Sequence, residues 1–479
     1  MEREKLGSRL GFILLSAGCA IGIGNVWKFP YITGANGGGI FVLIYLFFLV
    51  VLGIPVMTME FALGRGSQKS PVAIHKALEP KGSKWHLHGY ACLAGCVILM
   101  MFYTCVAGWM LNYFISTAAG QFVGMAPAQI KDAFYTSLAD ARIQVFYTVI
   151  VVLIGFLVCS IGLQKGLERI TKWMMVALLL IMVALAVNSI LTPGGSEGLR
   201  FYLLPSLDRL LDVGIGNVIV AAMNQAFFTL SLGIGSMAIF GSYIGKERAL
   251  MGESVNVAVL DTFVAVTSGL IIFPACFAYD IQVDSGPDLL FITLPNVFNN
   301  LPGGRFWGSL FFLFMSFAAL STVFTVFECI VSCMMDLTRR PRQKTCLICC
   351  VAMLELALPC ALCWSVLGDV HPFGGGSTIM DLEDFIVSNC LLPLGSLLYV
   401  LFCTSRYGWG WEAFVKEANT GKGAKVASWM RPYMTWVLPV IIVVLFFIGI
   451  YNFFALKNSM PPAFAGGIFV WDSYLLPLS

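Results

Sequence analysis

Residues 17–25 read Ala17-Gly18-Cys19-Ala20-Ile21-Gly22-Ile23-Gly24-Asn25, and residues 228–235 read Phe228-Thr229-Leu230-Ser231-Leu232-Gly233-Ile234-Gly235. Both stretches interrupt long apolar segments, and both contain the tripeptide Gly-Ile-Gly. Unwound backbone at membrane depth must line a cavity or be covered by protein, because lipid cannot satisfy its amides and carbonyls. Small residues also permit close packing of helices in membranes, so the tripeptide alone leaves both interpretations open.

The two stretches belong to a chain composed mainly of apolar segments. Of its 479 residues, 58% are hydrophobic and 11% are charged, whereas soluble globular domains carry roughly 25% charged residues. A single soluble core is therefore excluded. Apolar runs near or above the roughly 20 residues that cross a bilayer recur along the sequence. We predict eleven membrane spans, at residues 10–33, 39–66, 88–120, 143–160, 167–191, 214–240, 252–279, 305–335, 345–365, 382–404 and 432–456.

The positions of the glycine-rich stretches predict how these spans are organised. They lie in the first and sixth spans, which correspond in two five-span halves at 10–191 and 214–404. Inverted-repeat transporters place discontinuous helices there, with helix N-termini facing an anionic substrate group and freed carbonyls coordinating a cation. We therefore predict an all-α integral membrane protein with a 5+5 inverted repeat and discontinuous helices 1 and 6. The other predicted units are segment 1–9, an eleventh helix at 432–456 and a tail at 457–479.

The distribution of basic residues predicts the orientation. With the N-terminus inside, the cytoplasmic segments hold 22 of the 29 Lys and Arg residues. Basic residues near span ends are retained in the cytoplasm. We therefore expect a multi-pass protein of the cell (inner) membrane with a cytoplasmic N-terminus and, given eleven spans, an extracellular or periplasmic C-terminus.

Several other classes of protein are disfavoured by the composition. The fifteen cysteines lie mostly within spans, where a thiol acts as a small apolar group. No Cys and His cluster has zinc-ligand spacing. Ser231 has no positioned His, and no paired acids indicate hydrolysis, so we expect no enzyme activity. No basic stripe indicates nucleic acid, and no obligatory protein partner is evident. Neither a continuous polar pore nor a large signalling domain is visible, which disfavours a channel or a non-transporting receptor.

Longer motifs make the interpretation more specific. The run Gly22-Ile-Gly-Asn-Val-Trp-Lys-Phe-Pro30 is followed by Asn36-Gly-Gly-Gly39 and by Gly53-Ile-Pro55 with Glu60. Together with Gln225 through Gly235, Gly241-Ser-Tyr243 and Ala318-Ala-Leu-Ser-Thr322, it closely resembles the neurotransmitter:sodium symporter family, especially its bacterial LeuT-type amino-acid transporters. The resemblance covers most of the ten-span core. It implies a LeuT-like fold and sodium-coupled amino-acid symport.

The resemblance also implies two sodium sites. The first comprises the Ala20 carbonyl and the side chains of Asn25, Thr229 and Asp261. Many members have Asn where this chain has Asp261, and a fixed carboxylate beside the ion could replace chloride, so we predict chloride independence. The alternative is an Asp that points into a cytoplasmic crevice. The second site comprises the carbonyls of Gly18, Ile21 and Ala318 and the hydroxyls of Ser321 and Thr322. Without the resemblance, these hydroxyls would be assigned to bonds with the preceding helical turn.

A substrate pocket between the broken helices is implied in the same way. Gly22 stands where biogenic-amine transporters of the family carry Asp, which leaves space for the carboxylate of an α-amino acid. Tyr103 would donate a hydrogen bond to that carboxylate and form an outer lid with Phe228. The apolar lining favours a hydrophobic or aromatic side chain, because a polar group would lose hydration there. The predicted lining residues are Cys19, Ala20, Gly22, Ile23, Gly24, Leu99, Tyr103, Phe228, Thr229, Ser231, Ile234, Thr322 and Val326.

Gates on either side of the pocket are a further implication. Lys28 and Asp384 would pair across the outer vestibule, with weaker geometry than the Arg that the family more often has at position 28. Arg3 and Asp336 would close an inner gate, with support from Ser242 and Tyr243. Glu60 is expected to satisfy amides of a broken helix, and Glu328 has no assigned role. Proton coupling through Asp261 or Glu328 is the alternative to sodium coupling.

Overall fold

The computed structural model describes residues 4–279, 288–374 and 376–457. Apart from one isolated bridge between Arg248 and Lys422, these residues form helices, turns and loops. The all-α prediction is confirmed. Arg3 and nearly all of the predicted tail at 457–479 lie outside the described residues.

Nine helices in the described part of the chain are long and apolar enough to cross a membrane without interruption. They coincide, within several residues at each end, with nine of the eleven spans predicted from the sequence. We number the crossings α1 to α11 in chain order. The nine uninterrupted crossings are α2 (Gly39–Ser67), α3 (His86–Ala119), α4 (Ala141–Ile161), α5 (Leu163–Leu191), α7 (Leu250–Ala278), α8 (Gly304–Thr338), α9 (Arg342–Ala361), α10 (Ile379–Thr404) and α11 (Met430–Phe454).

The first and sixth crossings are interrupted, as the two Gly-Ile-Gly stretches predicted. In α1, the halves Arg9–Ala20 and Gly24–Ala35 meet at an angle of 61°. In α6, the halves Ile215–Thr229 and Ser236–Gly241 are separated by six non-helical residues. A sharp bend of 93° precedes α6, where the short helix Leu207–Val213 joins it. Both breaks therefore lie inside membrane crossings.

Short helices connect the crossings. On the side of the bundle where α1 begins, which we call the N-terminal face, lie Pro71–Leu78 and Trp411–Ala418. The connections on the opposite face contain Pro127–Ala139, Ser196–Leu203, Leu207–Val213 and Leu294–Asn300.

The degree of burial separates central crossings from peripheral ones. In the most apolar 18-residue stretch of α8, 78% of residues are buried inside the protein, against 28% in that of α11. The α8 helix packs against α1, α3, α4 and α5. The exposed side chains between Trp436 and Phe454 on α11 are mainly apolar, including Val440 and Phe447, which is the surface that lipid requires. The breaks of α1 and α6 thus lie next to the most buried helix.

Candidate functional site

A cavity lies between the breaks of α1 and α6 and the helices α3, α8 and α10. Backbone and side chains of both breaks form part of its wall, so the unwound segments line a cavity as the membrane requires. Its lining residues are Cys19, Ala20, Gly22, Ile23, Gly24, Asn25, Trp27, Lys28, Leu99, Phe102, Tyr103, Val106, Phe228, Thr229, Ser231, Ile234, Thr322, Asp384, Val387 and Leu392.

The break in α6 depends on two glycines in the left-handed region. Gly233 has φ 97° and Gly235 has φ 78°, values that L-residues with a side chain rarely adopt. Gly233 also touches α10, because an added Cβ would lie 2.1 Å from the Leu392 carbonyl oxygen. The freed Gly233 amide donates to Glu60 Oε1 at 2.6 Å. Glu60 thus satisfies an amide of the broken helix, in agreement with the expectation for this buried carboxyl group.

The Tyr103 hydroxyl faces the break of α1. It accepts a hydrogen bond from the Ile23 amide at 3.2 Å and lies within hydrogen-bonding reach of the Thr322 side chain. An ideal Cβ at Gly22 would lie 2.7 Å from the Tyr103 hydroxyl oxygen and 2.9 Å from Thr322 Oγ1. A side chain at position 22 would therefore clash with both hydroxyl groups, and the glycine lets them approach the break of α1.

Phe228 covers the other glycine of the α1 break. A Cβ at Gly24 would lie 2.7 Å from the Phe228 ring, so the ring packs directly on the backbone of α1. On the same ring, the Lys28 ammonium lies 4.1 Å from the ring centroid. This is a cation–π distance. Phe228 and Lys28 together form one wall of the cavity.

Three of the four groups predicted for the first cation site meet at one carboxylate. Asn25 Nδ2 donates to Asp261 Oδ1 at 2.7 Å, and Thr229 Oγ1 donates to Asp261 Oδ2 at 2.9 Å. Asn25 Nδ2 also lies 3.0 Å from Thr229 Oγ1. All three side chains are buried. Ala20, whose carbonyl was predicted as the fourth ligand, ends the first half of α1 and lines the cavity beside them.

The groups predicted for the second cation site form a cluster of oxygen atoms between α1 and α8. Thr322 Oγ1 lies 3.4 Å from the carbonyl oxygens of both Gly18 and Ile21. Ser321 Oγ lies 3.4 Å from the Ile21 carbonyl oxygen and 2.8 Å from that of Ala318. Carbonyl and hydroxyl oxygens are hard ligands, which suit a hard cation. Ser321 therefore bonds to the preceding turn of α8, and the hydroxyls of both Ser321 and Thr322 face the break of α1.

A family model extends the comparison beyond these sites. Residues 3–126 and 128–471 match the model of the sodium:neurotransmitter symporter family. The chain belongs to this family. The resemblance inferred from the sequence motifs is thereby confirmed.

Individual relatives agree with this assignment. The chain is 35% identical over 450 residues to the uncharacterised sodium-dependent transporter YhdH of Bacillus subtilis, covering 93% of this chain and 98% of YhdH. It is 25% identical over 460 residues to the sodium- and chloride-dependent GABA transporter 2 of Bos taurus, covering 86% and 74%. The crystal structure of MhsT in complex with L-phenylalanine superimposes with a TM-score of 0.82 at 35% identity, covering 93% of this chain and 99% of MhsT. The LeuT-like fold class is confirmed.

In this member of the family, twelve of the thirteen predicted substrate residues line the cavity. Val326 does not line it. It is buried in α8 one helical turn beyond Thr322, on a part of the helix that packs inside the protein.

The sequence interpretation missed five lining residues. Phe102 and Val106 lie three and seven positions after Leu99, so helical spacing places them on the same face of α3 and could have identified them. Trp27 lies between Asn25 and Lys28 and could have been included with them. Val387 and Leu392 follow Asp384 on α10, and no motif marked them.

The outer-gate residues take separate partners in this conformation. Lys28 and Asp384 both line the cavity and lie near enough for electrostatic attraction, but they make no direct ion-pair contact. Lys28 lies over the Phe228 ring instead. Asp384 accepts a hydrogen bond from Ser388 Oγ at 2.7 Å, one turn further along α10. The structure therefore places the two groups in one cavity without the predicted pairing.

The inner-gate residues lie at the N-terminal face. Arg3 is outside the described residues. Asp336 Oδ2 accepts a hydrogen bond from the Ser70 amide at 2.9 Å, and Ser242 Oγ donates to the Ile239 carbonyl at 2.6 Å. Tyr243 donates from its hydroxyl to Glu328 Oε1 at 2.6 Å.

Glu328, which had no assigned role, is the centre of this region. Its carboxylate forms an ion pair with Arg342 and accepts hydrogen bonds from the hydroxyls of Tyr243 and Ser332. Arg342 also donates to the Cys159 carbonyl at 2.7 Å. This network joins the end of α6 to α4, α8 and α9. The sequence contained both charges but did not show that the turn between α8 and α9 would bring them together.

Proposed function

We propose that this chain is a sodium-coupled symporter that imports a hydrophobic or aromatic L-amino acid by alternating access and without chloride. One observation carries the proposal. The cavity is bounded by the breaks of both α1 and α6, and Asn25 and Thr229 belong at once to the cavity wall and to the Asp261 cluster. A sodium ion at this cluster and a substrate carboxylate in the cavity would attract each other, which gives a physical basis for coupling.

The substrate assignment is supported by the hydroxyl groups of Tyr103 and Thr322, which line the cavity beside Gly22. A carboxylate in the cavity beside Gly22 can accept a hydrogen bond from the Tyr103 hydroxyl, which itself accepts one from the Ile23 amide. The remainder of the wall is largely apolar and includes Leu99, Phe102 and Ile234. Such a surface favours an apolar side chain. The L-phenylalanine bound in MhsT, a structure 35% identical in sequence, supports the same class of substrate.

Two sodium ions are proposed as cotransported substrates. The first would bind the Ala20 carbonyl, Asn25, Thr229 and Asp261, and the second would bind the oxygen cluster of Gly18, Ile21, Ala318, Ser321 and Thr322. Both sites combine groups from the broken helices with at least one group from a continuous helix. Their occupation would stabilise the closed arrangement of the breaks and thereby shift the conformational equilibrium.

Chloride independence follows from the charge at Asp261. A buried cation needs a compensating anion, and this carboxylate lies within the site itself, held by two neutral donors. A second, mobile anion is then unnecessary.

The proposed location is the cell membrane, with the N-terminal face towards the cytoplasm. The predicted cytoplasmic segments carry 22 of the 29 basic residues. Under this orientation Lys28, Phe228 and Asp384 border the outer entrance, and the Glu328 network borders the inner one.

Binding to the purified protein tests the proposal. We expect L-phenylalanine to bind in sodium chloride and equally well in sodium gluconate, and to bind much more weakly in choline chloride. Binding that requires chloride would contradict the proposed role of Asp261. Binding that is unchanged in choline would contradict sodium coupling, and uptake driven by a proton gradient without sodium would favour proton coupling instead.

A further inference from the structure

Ile234 forms part of the cavity wall, and on the side away from the cavity its side chain packs against a glycine of α3. Gly95 lies on α3, one helical turn before Leu99, which also lines the cavity. An ideal Cβ at Gly95 would lie 2.9 Å from Ile234 Cγ2 and 3.3 Å from Leu391 Cδ1. Both distances are shorter than ordinary carbon–carbon contacts. The α3 helix therefore reaches the break of α6 only because position 95 has no side chain.

The backbone at Ile234 has little freedom to retreat from α3. The Gly233 amide is held by Glu60 Oε1 at 2.6 Å, and the Ile234 carbonyl accepts the Cys96 thiol at 3.4 Å. Close packing of Gly233 against the Leu392 carbonyl blocks movement towards α10. A side chain added at position 95 would therefore displace the Ile234 side chain, and the space open to that side chain is the cavity.

We infer that Gly95 sets the upper size of the substrate side chain, acting as a positioning residue through Ile234. The inference rests on the proposed amino-acid transport and extends it to specificity. A methyl group at position 95 makes the cavity smaller at Ile234. Large aromatic substrates lose affinity first, whereas a small β-branched substrate still fits.

Uptake of L-tryptophan and L-valine into proteoliposomes tests the inference. Gly95→Ala should lower the ratio of tryptophan to valine uptake efficiency at least roughly tenfold, since one methylene in a pocket gives discrimination of about 10–200-fold. The double variant Gly95→Ala/Ile234→Ala removes the part of the Ile234 side chain that the new methyl group would push into the cavity. It should therefore restore the tryptophan-to-valine ratio of the unmodified protein. Gly216→Ala is the matched control, because it adds a methyl group in a helix where no atom lies within 4 Å.

The outcomes separate specificity from folding. If Gly95→Ala does not fold, the double variant Gly95→Ala/Ile234→Ala, which lacks the Cγ2 atom that the new methyl group would meet, should fold and keep the tryptophan-to-valine ratio of the unmodified protein. An unchanged ratio in folded Gly95→Ala, or an equal loss of both substrates that Ile234→Ala does not rescue, would overturn the inference. If the unmodified protein accumulates neither these nor other amino acids, the proposed function fails and the inference fails with it.

Discussion

Asn25 Nδ2 lies 2.7 Å from Asp261 Oδ1, so a side chain from the broken helix α1 is bonded to the carboxylate of the continuous helix α7. Thr229, the last helical residue before the break in α6, donates to the other oxygen of the same carboxylate. One buried charge therefore connects both broken helices. This arrangement has a direct consequence for ion dependence.

Replacing Asp261 by Asn should create a chloride requirement or reduce the apparent sodium affinity. The substitution removes the fixed negative charge and leaves a cation without a local counter-ion. Substrate binding measured against sodium concentration, in chloride and in gluconate, checks this expectation. Asp212→Asn, at an exposed aspartate, serves as the control. Unchanged sodium affinity together with continued chloride independence would rule out the assignment.

Thr322→Val should lower the apparent sodium affinity at least roughly tenfold, a loss of about 1.4 kcal/mol. The change keeps the shape of the side chain but removes the oxygen that lies 3.4 Å from the carbonyls of Gly18 and Ile21. Thr338→Val is a matched control, because this exposed threonine on the same helix bonds only to its own preceding turn. Equal sodium dependence in the two variants would show that Thr322 is merely a helical threonine.

Glu328→Gln should destabilise the protein by about 3–5 kcal/mol, the usual cost of breaking a buried ion pair from one side. It leaves Arg342, whose side chain is 13% exposed, without its anionic partner. Thermal unfolding followed by tryptophan fluorescence measures the effect. Glu412→Gln removes the anionic partner of Arg431 in an exposed pair and should have little effect, since solvent screens such pairs. Indistinguishable melting temperatures would contradict a structural role for the Glu328 network.

The proposed orientation predicts different labelling of the two faces. Lys84→Cys places a thiol on the N-terminal face, and Asp212→Cys places one on the opposite face, both at exposed positions. The natural thiols give a low background, because all are buried except the partly exposed Cys390. In intact cells, a membrane-impermeant maleimide should label Asp212→Cys and spare Lys84→Cys. The reverse pattern would place the N-terminus outside.

The fold was predictable because the membrane restricts it strongly. Length and hydropathy indicate the crossings, and only protein-covered or cavity-lining segments can be unwound at that depth. The Gly-Ile-Gly stretches therefore marked the breaks, and residues within them, such as Asn25 and Thr229, were identified correctly as neighbours. The ends of the helices were predicted less accurately. The sequence predicted that the sixth span is interrupted, but not that the interruption runs from Leu230 to Gly235.

Contacts that depend on tertiary packing were harder to predict. The distance from Lys28 to Phe228 depends on side-chain conformation, which a sequence motif does not specify. The pairing of Glu328 with Arg342 depends on how α9 returns beside α8. Val326 was assigned to the cavity by motif, but it is buried within the protein and does not line the cavity. In each case the sequence indicated that the residue was important but did not predict the contacts of its side chain.

Uptake of labelled L-phenylalanine, L-tryptophan and L-leucine into proteoliposomes tests the central claim most directly. With an inward sodium gradient, we predict accumulation above the external concentration of at least one of these amino acids, in chloride and in gluconate alike, and none when choline replaces sodium. Equal uptake in sodium and choline would contradict sodium-coupled symport. Absence of accumulation of every amino acid, by folded protein that still binds sodium, would contradict the proposed substrate class.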